Sequence, residues 1–290
     1  MGKRLARQDL AFLRSGRVIA GAILVGTVMI CALFAPLLVP HDPQEQNLIT
    51  TLVPPAWSAG GNPEFLLGTD SLGRDILSRL LYGARVAMTV AILASLGAML
   101  IGATLAHIAG YFGGKVDWVI GRAVEVWMSF PPVVLSLVLM TGLGAGISSV
   151  ILAIVLVDWT RFCRVLRAEV LVTRRQDYVA AARLVGFGHW RTLTREILPA
   201  TMPLLITLFS IEMGIAVIVE AILSFVGMSV GANQSAWGQM IADARQTIYE
   251  SGWNLVLPML AIFVTVLGFN LLGDGLRRSL DPRLMQAREL

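Results

Sequence analysis

The chain has 290 residues, 56% of them apolar and only 14% charged, with a formal net charge of +4. Soluble domains carry about 25% charged residues, and the charge-free runs here are long enough for a bilayer, which excludes an ordinary soluble domain. Lys and Arg are not interleaved with aromatics, so a nucleic-acid surface is unsupported. Cys31 and Cys163 lack CxxC spacing and His41, His107 and His189 are scattered, so neither a disulfide framework nor a metal site is supported.

About 30 Å of hydrocarbon takes about 20 apolar residues to cross. Six spans are expected on that count, roughly at 18–39, 86–109, 124–143, 147–166, 201–225 and 254–273. Basic residues before the first would suit a signal peptide. Its length and its flank of Pro36, Pro40 and His41 fit a retained anchor better. The third and fourth spans come from one uncharged run, 126–157, broken near Gly142, Gly144 and Gly146.

Between the first two spans, 36–63 is rich in Pro, Gly, Asn and Ser and reads as an extended loop. Thr69 or Asp70 can then cap a helix. Ile76, Leu77, Leu80, Leu81 and Ala84 share one face, with Arg74, Asp75, Ser78 and Arg79 elsewhere, and Asp75 stands four residues before Arg79. A short interfacial amphipathic helix near 70–82 is expected, with a solvated turn as the alternative. His107, near the end of an apolar helix, reads as paired to a backbone carbonyl.

The basic residues set orientation. With the N-terminus inside, nineteen Lys and Arg fall on inner segments and only Arg74, Arg79, Arg85 and Arg245 on outer ones. That bias places both termini in the cytoplasm and accounts for the positive net charge through headgroups and soluble partners.

The richest inner segment is 161–199. Arg161, Arg164, Arg167, Arg174 and Arg175 carry the fourth span beyond the bilayer. Ala180, Ala181 and Ala182 centre a short helix with a small surface. Gly186 and Gly188 permit a sharp turn, Phe187 and Trp190 supply apolar knobs, and Leu198 with Pro199 begin the return to the membrane. Such a stretch suits a rigid lever docking into a partner, or else a surface helix held by headgroups. Glu212 and Glu220 are costly at membrane depth and lie about 80° apart around a helix. They read either as a pathway wall attracting a cationic group or as hydrogen-bonding partners of a neighbouring span. Asp158 with Arg161 reads as a local pair at the membrane edge.

Several segments resemble the permeases of ABC importers. Ala181, Ala182, Gly186, Leu198 and Pro199 match the family's coupling loop, with Ala180 where Glu is common. Gly68, Thr69, Asp70, Gly73, Arg74 and Asp75, then Tyr82, Gly83, Ala84 and Arg85, are similar to the second permease subunit of dipeptide, oligopeptide and nickel importers. So are Gly110, Tyr111, Phe112, Gly113 and Gly114 with Asp117, the run from Glu220 to Gly227, and Asn270, Gly273, Asp274, Arg277 and the 280–283 motif. The resemblance covers about 20–284 and implies an all-α, six-helix type I importer permease in a bacterial inner membrane. Its parts would be an anchor and external loop at 1–66, an interfacial helix at 67–85, a five-helix core at 86–276 with a coupling loop at 167–199, and a cytoplasmic tail at 277–290. It further implies ATPase coupling through Ala180, Ala181, Ala182, Gly186, Phe187, Gly188, Leu198 and Pro199, and peptide as the solute, with nickel or another metal chelate as the alternative. Partners would be a homologous first permease subunit, two ATP-binding subunits holding ATP and magnesium, and an external solute-binding protein. The chain has no phosphate-binding loop, no cofactor site and no paired nucleophile and base, so an intramembrane enzyme is disfavoured. A secondary transporter working alone is disfavoured by the lack of an internal repeat.

Overall fold

The computed structural model describes residues 15–231 and 234–280. The basic N-terminal residues through Arg14 and the 281–283 part of the last motif lie outside the described residues. Those described are mainly helical, apart from the long loop 39–75, with no strand beyond one isolated bridge between Thr69 and Asp75. In chain order the helices are α1 (Gly16–Leu33), α2 (Ile76–Phe112), α3 (Gly114–Met128), α4 (Pro132–Leu143), α5 (Ile147–Thr173), α6 (Asp177–Leu184), α7 (His189–Phe225), α8 (Trp237–Ala244) and α9 (Trp253–Leu280).

By length and composition four of these can cross a membrane: α1, α2, α7 and α9. A fifth span forms if α3 and α4 count as one, but they meet at 87°. The expectation of a straight third span at 124–143 therefore fails. Pro131 and Pro132 lack amide donors, and a residue before proline is driven out of helical geometry. α5 is long enough for a sixth span but carries Asp158, Arg161, Arg164 and Arg167 from its middle onward; Asp158 is buried, whereas Arg164 is exposed.

α2 and α5 run side by side in the same direction. Gly97 meets Val155, Gly102 meets Trp159 and Phe162, and Gly110 meets Val170. At Gly102 a Cβ would lie 2.3 Å from the Trp159 carbonyl oxygen, so the hydrogen side chain sets how closely the two backbones approach. α9 runs antiparallel to both α1 and α7, with Val18 against Gly275, Leu24 against Gly268, and Ile211 against Gly273. These pairings gather the start of α1, the ends of α2, α5 and α9, and the start of α7 at one end of the bundle. Arg17 and Asp274, 3.7 Å apart, sit there. Ile23, Leu100 and Phe263 are exposed on the flanks, where a water-soluble protein would carry polar groups.

The helix expected near 70–82 is not separate. Asp75, rather than Thr69 or Asp70, caps α2 by accepting from the Ser78 amide at 2.8 Å, and α2 then runs unbroken for 37 residues. The polar residues assigned away from its apolar face are buried too, Arg79 being 1% exposed.

Candidate functional site

The loop between α5 and α7 is a braced projection at the end where the start of α1 and the end of α9 gather. Val179 of α6 is buried in a small cluster with Tyr111, Val170, Leu193 and Ile197. One turn on, Arg183 lays its guanidinium 5.0 Å from the Tyr111 ring centre. The Tyr111 hydroxyl meets His189 Nδ1 at 3.1 Å. Arg174 donates to the carbonyls of Gly110 at 3.2 Å and Tyr111 at 2.7 Å, groups that the end of a helix leaves open. Beside them Arg167 forks onto Asp117, its Nη2 reaching Oδ2 at 2.7 Å. The 110–114 glycine motif and Asp117 thus form the receptacle for the loop. The sequence marked these residues as a match but did not reveal that role.

α6 closes through Gly186, at φ +96°. The Phe187 amide donates to Ala182 O at 3.1 Å and the Gly186 amide to Arg183 O at 3.0 Å, the paired bonds of a Schellman ending. Ala180 and Ala181 face solvent and Ala182 is partly covered. Phe187 is half-buried beneath the Arg191 guanidinium, 4.1 Å from its ring centre. Gly188 precedes α7 in extended geometry. Leu184 and Val185 stand 89% and 81% exposed at the tip, next to Tyr178. Burial, with Glu196 and Glu169 nearby, pushes the Tyr178 phenol up. Leu184 and Val185 were missed from sequence. Their signal was the position of Val179, since Leu184, five residues on, falls about 140° away from the face that packs inward.

Leu198 and Pro199 do not open a helix after a loop. α7 is already wound from His189 and widens to a π turn over Leu193–Ile197 just before Pro199. A proline ring clashes with the carbonyl four residues back, and the widened turn accommodates it.

Both buried carboxylates of α7 have partners. Glu212 accepts from Arg161 Nη1 at 3.0 and 3.1 Å, and Arg161 also reaches Asp158 at 3.5 Å. The expected Asp158–Arg161 pair is therefore part of a triad, and its Arg161 side chain is 34% exposed. Glu220 accepts from Ser229 Oγ at 3.0 Å, and the Ser229 carbonyl holds the Gly146 amide at 2.7 Å. His107 pairs with the Ala103 carbonyl at 2.7 Å, as expected, and also meets Thr201 Oγ1 at 2.9 Å.

At the opposite end two cations and two carboxylates interlock. Asp70 accepts from Arg74 Nε at 2.7 Å and from Arg79. Asp243 of α8 accepts from Arg74 at 3.0 Å and Arg79 at 3.2 Å. Asp75, expected to pair with Arg79, is used as the cap instead.

Residues 98–286 match the family of binding-protein-dependent transport system inner membrane components, and residues 8–55 match the N-terminal membrane domain of oligopeptide transport permease C. The chain is 41% identical over 275 residues to the dipeptide transport system permease protein DppC of Escherichia coli K12, covering 95% of this chain and 92% of that one. It is 36% identical over 277 residues to the di/tripeptide permease DppC of Pseudomonas aeruginosa UCBPP-PA14, covering 96% and 91%. To the nickel permease NikC of Escherichia coli K12 it is 36% identical over 263 residues, covering 91% and 93%. A solved amino acid ABC transporter, crystallised with histidines, shares the fold at a TM-score of 0.56 and 18% identity, over 70% of this chain and 94% of that one. The chain belongs to the inner membrane component family.

Proposed function

We propose that this inner membrane permease forms half of the translocation pathway of an ATP-driven importer of short peptides. It pairs with a homologous first permease subunit, receives solute from an external binding protein, and is driven by two ATPase subunits that hold the ATP and magnesium. Both termini and the α5–α7 loop face the cytoplasm, as the distribution of Lys and Arg favours.

The observation that carries this reading is the α6 projection. Leu184 and Val185 are offered to solvent on a helix braced to the ends of α2, α5 and α7 by Val179, Arg183 and Arg174. An apolar tip on a rigid stem can enter a groove and transmit its movement. Ala180, Ala181 and Ala182 let that groove come close, Gly186 and Gly188 shape the turn, Phe187 leads into α7, and Leu198 and Pro199, two turns and more inside α7, carry the movement on towards the membrane. Glu212, through the partly exposed Arg161, lies along the pathway wall. Glu220 acts there through the segment that Ser229 anchors.

The test is uptake by proteoliposomes containing the assembled importer and its binding protein, with labelled dipeptide, oligopeptide and nickel supplied in turn. ATP-dependent accumulation of peptide is expected. Accumulation of nickel alone would move the assignment to metal import, and uptake by this chain without ATPase subunits would overturn it.

A further inference from the structure

At the end of the bundle away from the α6 projection lies a cavity of about 830 Å³, within the size range of small-ligand sites. Three separated stretches build its polar wall: Asp42 and Gln44 from the loop after α1, Arg85 and Thr89 from α2, and Gln234 and Ser235 ahead of α8. Its walls are tied together. Gln44 Nε2 donates to Ser235 Oγ at 3.0 Å, Trp237 Nε1 donates to the Leu80 carbonyl at 3.0 Å, and the ionic cluster joining Arg74 and Arg79 to Asp243 fixes α8 to α2.

Arg85 sets the chemistry. Every other arginine in this part of the described structure except Arg245 has a carboxylate partner, whereas Arg85 has none among the described residues and rests its guanidinium 5.4 Å from the Tyr82 ring centre. Asp42, on the same cavity, takes only a local amide, that of Gln44 at 2.9 Å. Arg85 and Asp42, each without an ion-pair partner among the described residues, therefore face a single space that His41, turned towards Glu64 and Asp75, also borders, and whose apolar wall includes Val39, Pro40 and Val86. That pattern suits a zwitterion whose ends are constant and whose middle varies.

We propose that this cavity is a receiving site for short peptides, in which Arg85 binds the terminal carboxylate and Asp42 the terminal ammonium. It rests on the peptide-import reading and adds a contact point to it. Bidentate pairing of guanidinium with carboxylate favours Arg over any neutral donor. The apolar wall leaves side-chain identity largely unread, so one site accepts many sequences. A zwitterionic lipid headgroup shares this chemistry, and the experiment separates the two sources.

Thr89→Cys, in a chain with Cys31 and Cys163 replaced by Ala, provides a thiol on the wall. The importer is assembled with its partners and binding protein in nanodiscs of phosphatidylglycerol alone, whose headgroup has no ammonium, or with added phosphatidylethanolamine, and labelled with a membrane-impermeant thiol reagent. Dipeptide with free termini is expected to slow labelling in both lipids. Its C-terminal amide should need about tenfold more for the same protection, and Arg85→Gln should raise the requirement for free dipeptide to that of the amide. Asp42→Asn should do the same for the distinction between free and N-acetylated dipeptide. Protection that depends on phosphatidylethanolamine and ignores peptide would assign the site to lipid and overturn the proposal. Unprotected labelling, in an importer whose ATP hydrolysis still responds to peptide, would overturn it while leaving the import reading intact. Loss of that peptide response in the unsubstituted importer would instead overturn the import reading itself.

Discussion

At the scale of single residues, conformation and charge burial make separable demands. Gly186 adopts φ +96° with no atom within 4 Å of where a Cβ would stand, so substitution there is opposed by the backbone and not by neighbours. A left-handed residue with a Cβ costs about 1–2 kcal/mol, more when β-branched, and Asn tolerates the region better than most. Gly186→Val should abolish peptide uptake with near-normal membrane abundance, while Gly186→Asn keeps most uptake. Equal loss in both would point to the glycine's size instead of its φ. In the ionic cluster, Asp70 is deeply buried whereas Asp243 is 32% exposed. Removing one partner of a buried pair costs about 3–5 kcal/mol because the other charge is stranded, and solvent softens this at the rim. Asp70→Asn should therefore lower the melting temperature of the purified protein well below that of Asp243→Asn. The reverse order would show that the cluster is anchored from α8.

At the scale of elements, the α2–α5 contact decides whether the core assembles. Gly102→Leu would force a side chain against the Trp159 carbonyl and the Phe162 side chain, and such overpacking costs about 1–3 kcal/mol or more. Reduced amounts of assembled permease are expected on a native gel, and unchanged assembly would mean that the two helices can slide apart. The helices themselves were legible in the sequence because charge-free runs have few alternatives in lipid. The bend between α3 and α4 was missed: Pro131 and Pro132 mark it, but they lie within the charge-free run 126–157, which read as continuous span. Burial of Arg79 was not legible. One of its partners, Asp243, lies 164 residues away in sequence, and local helical spacing pointed to Asp75. The short helix over Ala180–Ala182 and its stop at Gly186 were legible, yet the exposed tip and the brace to Tyr111 depend on how α6 is rotated, which three consecutive alanines do not specify.

At the scale of the whole molecule, the α6 projection and the Arg85 cavity lie at opposite ends of the bundle, the proposed lever and the proposed receiving site. The proposed sidedness rests on the distribution of Lys and Arg, and single-cysteine labelling checks it. In a chain without Cys31 and Cys163, Tyr249→Cys should react with an impermeant reagent on intact cells, and Leu184→Cys only after permeabilisation. Both side chains are exposed in the permease itself, so with the chain expressed apart from its ATPase subunits failure to react reflects the membrane and not burial. The inverse pattern would place the loop outside and remove its access to ATP-driven partners.

The central claim is that the α6 tip seats in an ATPase subunit. The most direct measurement carries a photoreactive maleimide on Leu184→Cys or Val185→Cys, irradiates the assembled importer in membranes, and identifies the crosslinked protein by mass spectrometry. The account predicts an ATPase subunit crosslinked from both positions, and none from a control at Ile23→Cys on the exposed flank of α1. Crosslinks from 184 and 185 to lipid alone, in an importer that still hydrolyses ATP in response to peptide, would contradict it.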